Sequence, residues 1–215
     1  MSIGQDIFRE VGKEYGYENV DADFSAFREI KIKWQRSYGK AEFKISDYLN
    51  DAPEDVFRGV AETLFKKISG QDVNGYPQCM VDYLASEEFL TAKRPKYLAR
   101  IRNTNHQGGQ HKSLTDSIER VRALGLVNVP EDMQAIWINK TETRLCSCST
   151  VFKLIMVSVT LDKEDVPDYV LDYLVYENVV KMAAGVGQSV SPARVAIAMS
   201  LFPHTEEARD FLETL

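Results

Sequence analysis

Residues 166–182, VPDYVLDYLVYENVVKM, are the stretch on which the fold turns. Val166-Pro167 opens a helix, because proline suits the first turn, where its missing N–H has no partner to lose. Gly185 and Gly187 stop the helix just after Ala183. Leu171, Leu174, Val175 and Val179 supply an inward face, which is enough for a plain core helix. Residues 174, 177, 178 and 181 share a face at i, i+3, i+4 and i+7, and three of them are Glu177, Asn178 and Lys181. Glu177 precedes Lys181 by four residues, the better orientation for a helical ion pair.

Working outward, Gln134–Asn139 and Thr143–Thr160 read as strands joined by a turn at Lys140-Thr141-Glu142. The apolar run Val151–Val159 suits a central strand. After the helix, Ser191-Pro192 caps another to Phe202, and Thr205 caps a last one through Phe211 and Leu212. Toward the N-terminus, residues 2–16 read as a helix with Ile7, Phe8 and Val11 inward. Ile30, Ile32 and Trp34 alternate with Lys31, Lys33 and Gln35, and Ala41, Phe43 and Ile45 with Lys40, Glu42 and Lys44. With Ser37-Tyr38-Gly39 between them, residues 28–46 form a hairpin. Asp51, as cap, and Pro53 open a helix with Val56, Val60, Leu64 and Ile68 on one side, closed by Gly70. Pro77 opens the next, residues 88–102 are helical in part but broken near Pro95, and 103–112 read as a mobile loop. Ser113 with Asp116 starts a helix that stops at Gly125. No internal repeat is visible. The pattern predicts an α+β fold, divided into an N-terminal hairpin and helical region, 1–130, and a strand-helix core, 131–215, or one continuous domain of both.

Composition narrows the function. The chain has 215 residues, 44% hydrophobic and 27% charged, which excludes disordered and collagen-like classes. No apolar run approaches the ~20 residues of a membrane helix, and the N-terminus lacks a signal-peptide layout, so a cytoplasmic protein without a membrane partner is expected. Three cysteines are too few for a disulfide framework.

The segment 166–182, preceded by Val159-Thr160-Leu161-Asp162, resembles the active-site helix of SprT-like zinc metallopeptidases and the strand end before it. LFPHTEEARDFL, 201–212, resembles that family's closing helix, and KIKWQRSYGKAEFKISDYLNDAPEDV resembles the region ahead of the zinc site in archaeal members. The resemblance implies a zincin-like mixed sheet with a long active-site helix. It also implies a His-Glu-x-x-His motif, two imidazoles on zinc and a glutamate as general base. Glu177, Asn178 and Lys181 stand at those three places. Neither imidazole is present and the base has become an amide. No His, Glu or Asp lies near Val190–Ser191, where a third ligand is expected, and His204 lies past that place. The expectation is a degenerate site without metal or cofactor, in which Lys181 supplies the positive charge of the lost metal. It would sit in a binding or scaffold protein whose former substrate groove persists and receives a protein or peptide. The competing expectation is an active peptidase with an unconventional metal site.

Weaker signals point elsewhere. Cys146 and Cys148 face one side of a strand and read as small buried side chains, or as half of a metal site. His106 and His111 flank Gly-Gly in a loop. The formal net charge of -6 hides two basic stretches. Residues 28–44 hold six basic residues against two acidic ones: Arg28, Lys31, Lys33, Arg36, Lys40 and Lys44 against Glu29 and Glu42. Residues 93–122 hold eight against two, including Arg94, Lys96, Arg100 and Arg102. Interleaved Tyr38 and Tyr97 could stack on bases. Lys31, Lys33, Arg36, Lys40, Lys44, Arg94, Lys96, Arg100 and Arg102 are the expected anion-binding set, for nucleic acid or a ribonucleoprotein. The bland alternative is the ordinary polar face of a hairpin.

Overall fold

Apolar alternation, punctuated by proline and glycine, builds the same series of elements twice. A computed structural model describes residues 3–101, 104–105, 107–139 and 144–215. The chain divides into two compact units, Met1–Ile101 and Arg102–Leu215.

In the first unit, α1 (Ile3–Glu14) buries Ile7, Phe8 and Val11. Strands β1 (Asn19–Ser25), β2 (Ile32–Ser37) and β3 (Lys40–Ser46) follow. The expected hairpin is β2–β3, antiparallel, with Trp34 opposite Phe43. β1 is an addition to the sequence reading, although Val20 and Ala22 alternate with Asp21 and Asp23. It pairs parallel to β3 and makes β3 the middle strand. A single 3₁₀ turn, Asp47–Leu49, leads to α2 (Glu54–Ile68), α3 (Gln78–Ala85) and α4 (Glu87–Arg100). The rings of Phe8 and Phe65 meet Phe43 edge-on at 4.9 and 5.2 Å, a geometry that aromatic quadrupoles favour. Two details differ from expectation. Asp51 does not cap α2; its carboxylate accepts from Lys93 Nζ at 2.7 Å and the Tyr83 hydroxyl at 3.2 Å, and Pro53 stands at the cap. α4 runs unbroken through Pro95, because buried Phe89, Leu90 and Lys93 anchor it before the proline and Tyr97 after it. Packing on both sides outweighs the local penalty.

In the second unit, α5 (Leu114–Ala123) is capped by the Ser113 hydroxyl as expected. Strands β4 (Gln134–Ile138), β5 (Cys146–Ser149) and β6 (Leu154–Ser158) follow. Residues 143–160 are therefore not one strand. Thr150–Lys153 turn the chain, with Lys153 at φ 45°, and split the run into an antiparallel hairpin. β6 is central as expected, parallel to β4. The turn expected at Lys140-Thr141-Glu142 lies outside the described residues. A 3₁₀ turn, Val159–Leu161, leads to α6 (Asp168–Met182), α7 (Pro192–Met199) and α8 (Thr205–Leu212). α6 is buried on nearly every side and packs against β5, α5, α7 and α8. Its Asp172 accepts from Ser117 Oγ at 2.6 Å and from Arg120 at 2.7 and 2.9 Å. That tie places α5 in this unit, so the chain divides at 101 and not at 130. Thr205 does not cap α8; its hydroxyl sits 2.5 Å from Met199 O and 3.0 Å from Phe202 O.

Each unit thus runs α-β-β-β-3₁₀-α-α-α, with the third strand between the first, parallel, and the second, antiparallel. The repeat absent from the sequence reading is present in the fold. The class is α+β. No helix among the described residues is long and apolar enough to cross a membrane.

Candidate functional site

α6 carries the three positions singled out by sequence, and the structure separates them into two environments. Glu177 and Lys181 face outward and close an ion pair at 3.0 Å. Asn178 turns inward and is 2% exposed. Its amide donates to Leu174 O at 2.8 Å and to Cys146 Sγ at 3.1 Å. Leucine or valine there would leave that sulfur without a donor, whereas asparagine bridges helix and strand. β5 presents Cys146 and Cys148 to this part of the helix. Burial pushes both thiols up, so neither is a thiolate at neutral pH; Lys181 opposes the shift at each and Glu177 adds to it.

Beside the ion pair lies a groove of about 610 Å³. Glu177, Lys181, Tyr173 and Arg209 supply its polar wall, and Val190 and Met199 part of its apolar wall. Arg209 comes from α8, where its Nε donates to the Tyr173 hydroxyl at 3.2 Å. Neither residue carried a sequence signal, since only the return of α8 over α6 brings them together. Among the described residues, no group of three or more His, Cys, Asp or Glu is placed to hold a metal ion. His204 lies beside the Tyr169 ring at 5.2 Å, and His111 Nδ1 is 3.6 Å from Glu164. His106 lies outside the described residues.

Asp162, at the end of the strand-turn ahead of α6, organises the loop before α5. Its Oδ2 accepts from the backbone N–H groups of Gly109 and Gln110 at 2.7 and 3.0 Å, and its Oδ1 from those of His111 and Lys112 at 3.0 and 2.9 Å. The expectation of a mobile loop therefore fails for these residues: four hydrogen bonds hold them to one carboxylate. Gly108 is required here, because a Cβ would collide with the Trp137 ring.

The expected anion-binding residues do not form one surface. Lys33, Lys40 and Lys44 share the outer face of the β1-β3-β2 sheet, and Lys31 lies just before it. Lys31 and Lys33 ammonium groups sit 4.9 and 5.7 Å from the Phe27 ring. By register, Asp21, Asp23 and Glu42 lie on the same face, so the three strand lysines are balanced. Arg36 points to the other side and bonds Ile68 O at the end of α2. Arg100 grips Asp47 with two bonds of 2.6 Å, and Lys96 reaches the same carboxylate at 2.9 Å. These two cations are structural: Arg100 first, opposed by burial and helped by Lys96, brings the Asp47 carboxyl down to about 2. Tyr97 is 1% exposed and cannot stack on a base, whereas Tyr38 projects fully into solvent. Arg94 is half-buried on α4. Arg102 lies outside the described residues. Comparison of the chain with protein-family models, with curated proteins and with solved structures found no match to any of them.

Proposed function

We propose that this chain is a catalytically inactive relative of SprT-like metallopeptidases that works as a binding protein, holding an extended protein segment in the groove beside α6. The observation that carries the reading is the closed Glu177–Lys181 pair at 3.0 Å, with Asn178 buried behind it. A carboxylate already neutralised by an ammonium group is a poor ligand for a dication, and an amide cannot take a proton from water as a general base. The groove remains open next to these positions, and β5 is an edge strand beside it, with backbone groups available to an added strand. The test is zinc content and peptide hydrolysis of the purified full chain. We expect neither stoichiometric zinc nor chelator-sensitive cleavage. Zinc at one per chain, with cleavage lost to a chelator, would establish the opposite reading, an active peptidase with an unconventional site.

A nucleic-acid partner is a second reading, favoured by one observation: Lys31, Lys33 and Lys44 gather round Phe27 on the sheet face. It predicts salt-dependent binding of single-stranded RNA that Lys33→Glu weakens. Unchanged binding in that variant removes it.

A further inference from the structure

The correspondence between the two units goes beyond element order. The long helices α2 and α6 have 15 residues each, and α3 and α7 have 8 each. The connecting segments, 69–77 and 183–191, are of equal length. Pro53 and Pro167 occupy the same cap position. Ser46 and Ser158, both fully buried, end the middle strands, and Leu49 and Leu161 close the 3₁₀ turns from inside. Even single hydrogen bonds correspond: Ser46 N–H donates to Lys31 O at 3.0 Å, and Ser158 N–H to Leu145 O at 2.8 Å.

These landmarks set a residue-by-residue equivalence. Ile32 and Trp34 oppose Ile45 and Phe43 as Cys146 and Cys148 oppose Val157 and Ile155. Counting from the two prolines, Thr63, Leu64 and Lys67 stand where Glu177, Asn178 and Lys181 stand. The same count sets Tyr76 at the place of Val190. A hollow of about 140 Å³ lies there, lined by Trp34, Leu64, Lys67 and Tyr76 among others. Its floor is apolar where the α6 site is polar. It is smaller than the ~300–1,000 Å³ of a cofactor or drug-sized pocket and fits a single side chain.

The strand beside it is open. The bond from Ser46 to Lys31 makes 31–46 a hydrogen-bonded pair, so by antiparallel alternation Ile32, Trp34 and Arg36 turn their backbone N–H and C=O groups to the free edge of β2. Trp34 and Tyr76 are 44% and 52% exposed and both line this hollow, so they form one apolar patch and not two scattered residues.

We infer that the first unit is a second copy of the fold that carries the α6 groove, and that its counterpart site binds an extended polypeptide as an added strand on β2, seating one apolar side chain between Trp34 and Tyr76. Backbone pairing supplies affinity and the notch selects the side chain. The site is independent of the Glu177–Lys181 pair, so the two readings stand or fall separately.

The probe is a pool of acetylated, amidated octapeptides alternating threonine with randomised apolar residues, titrated calorimetrically into the full chain. Trp34 is a built-in reporter, since the other tryptophan, Trp137, is 8% exposed. We expect saturation at two sites per chain, protection of Trp34 from iodide quenching, loss of one site in Trp34→Ser and in Tyr76→Ser, and loss of binding when alternate peptide nitrogens are methylated. One site that survives Trp34→Ser and disappears in Lys181→Glu overturns this inference and leaves the α6 reading. One site lost only in Trp34→Ser does the reverse. No binding overturns the inference, as does a self-associated chain that Trp34→Ser makes monomeric, which would identify the occupant of β2 as a second copy.

Discussion

Replacing Asp162 by asparagine probes the carboxylate that holds residues 109–112 of the loop before α5. Two oxygens accept four backbone N–H groups at 2.7–3.0 Å. Asparagine keeps the shape but turns one oxygen into a donor facing two donors, so two bonds are lost. The other two become neutral and weaker. At about 1 kcal/mol for each lost bond and about half that for each weakened one, the change amounts to about 3 kcal/mol. The loop is partly open and water re-solvates the freed amides, which brings the expected loss to about 2 kcal/mol. Hydrogen exchange on the full chain reads this locally: protection of the amides of 109–112 should fall about 30-fold, while those of β3 stay unchanged. The pH dependence has a defined sign. Burial raises the Asp162 carboxyl, but the N–H groups of Gln110, His111, Lys112 and Gly109 together outweigh it and hold it below the usual carboxylate range. A carboxyl depressed in the folded state contributes fully above its unfolded value of ~3.9, and the contribution disappears as pH falls through the lower native value. Protection of the loop should therefore fade below about pH 4 in the parent chain and be flat there in Asp162→Asn. Equal exchange rates at 109–112 in both proteins would refute the four-bond reasoning.

Four further outcomes follow from other contacts. Arg100→Glu sets a carboxylate against Asp47, so it should lower the stability of the first unit by about 3 kcal/mol in urea melts, and any loss of RNA binding in it reports unfolding. The same pair makes the first unit acid-sensitive: with Asp47 at about 2, its contribution is complete above ~3.9 and lost as pH falls through about 2. Gly12→Ala places a Cβ 2.5 Å from Val20 Cγ2 and 2.8 Å from Phe65 Cζ, which should cost about 2 kcal/mol by thermal denaturation. Asn178→Asp buries a carboxyl beside Leu174 O; it should destabilise by about 3 kcal/mol at pH 7 and recover part of that as the pH falls and the group takes up a proton.

The parts of the fold legible in sequence were those set by local periodicity. The hairpin, the capped α5 and the buried α6 all declare themselves within a few residues. What escaped was set by partners distant in the chain. β1 reads as a strand only once β3 lies parallel beside it. α4 survives Pro95 because Tyr97 and Phe89 are buried by other elements. Asp51 looks like a cap until Lys93, forty-two residues on, claims its carboxylate. At the candidate site, the Glu177–Lys181 pair was legible because it is local to one helix. Arg209 was not, because α8 delivers it from elsewhere. Arg36, Lys96 and Arg100 misled for the same reason: a cluster of cations in sequence says nothing about which carbonyls and carboxylates meet them in space.

The repeat escaped for a different reason, and it bears on how the resemblance should be understood. A fold is conserved by burial pattern more than by identity. Phe57 and Leu171, Val60 and Leu174, and Phe65 and Val179 are different letters doing the same packing. Only Ser46, Leu49, Asp51, Pro53, Val56 and Lys67 repeat as identical residues at the matching places in 158–181. The stretch KIKWQRSYGKAEFKISDYLNDAPEDV resembles SprT-like sequences and reads as the approach to a metal helix downstream. In the fold it has its own helix, α2, with threonine, leucine and lysine at the three critical positions. The two units share an open edge strand and a lysine, Lys67 in one and Lys181 in the other, while Thr63 and Leu64 stand where Glu177 and Asn178 stand. The strand-addition reading proposed above accounts for that shared arrangement, because it asks of each unit only an open edge strand and a notch beside it, whatever residues line the notch.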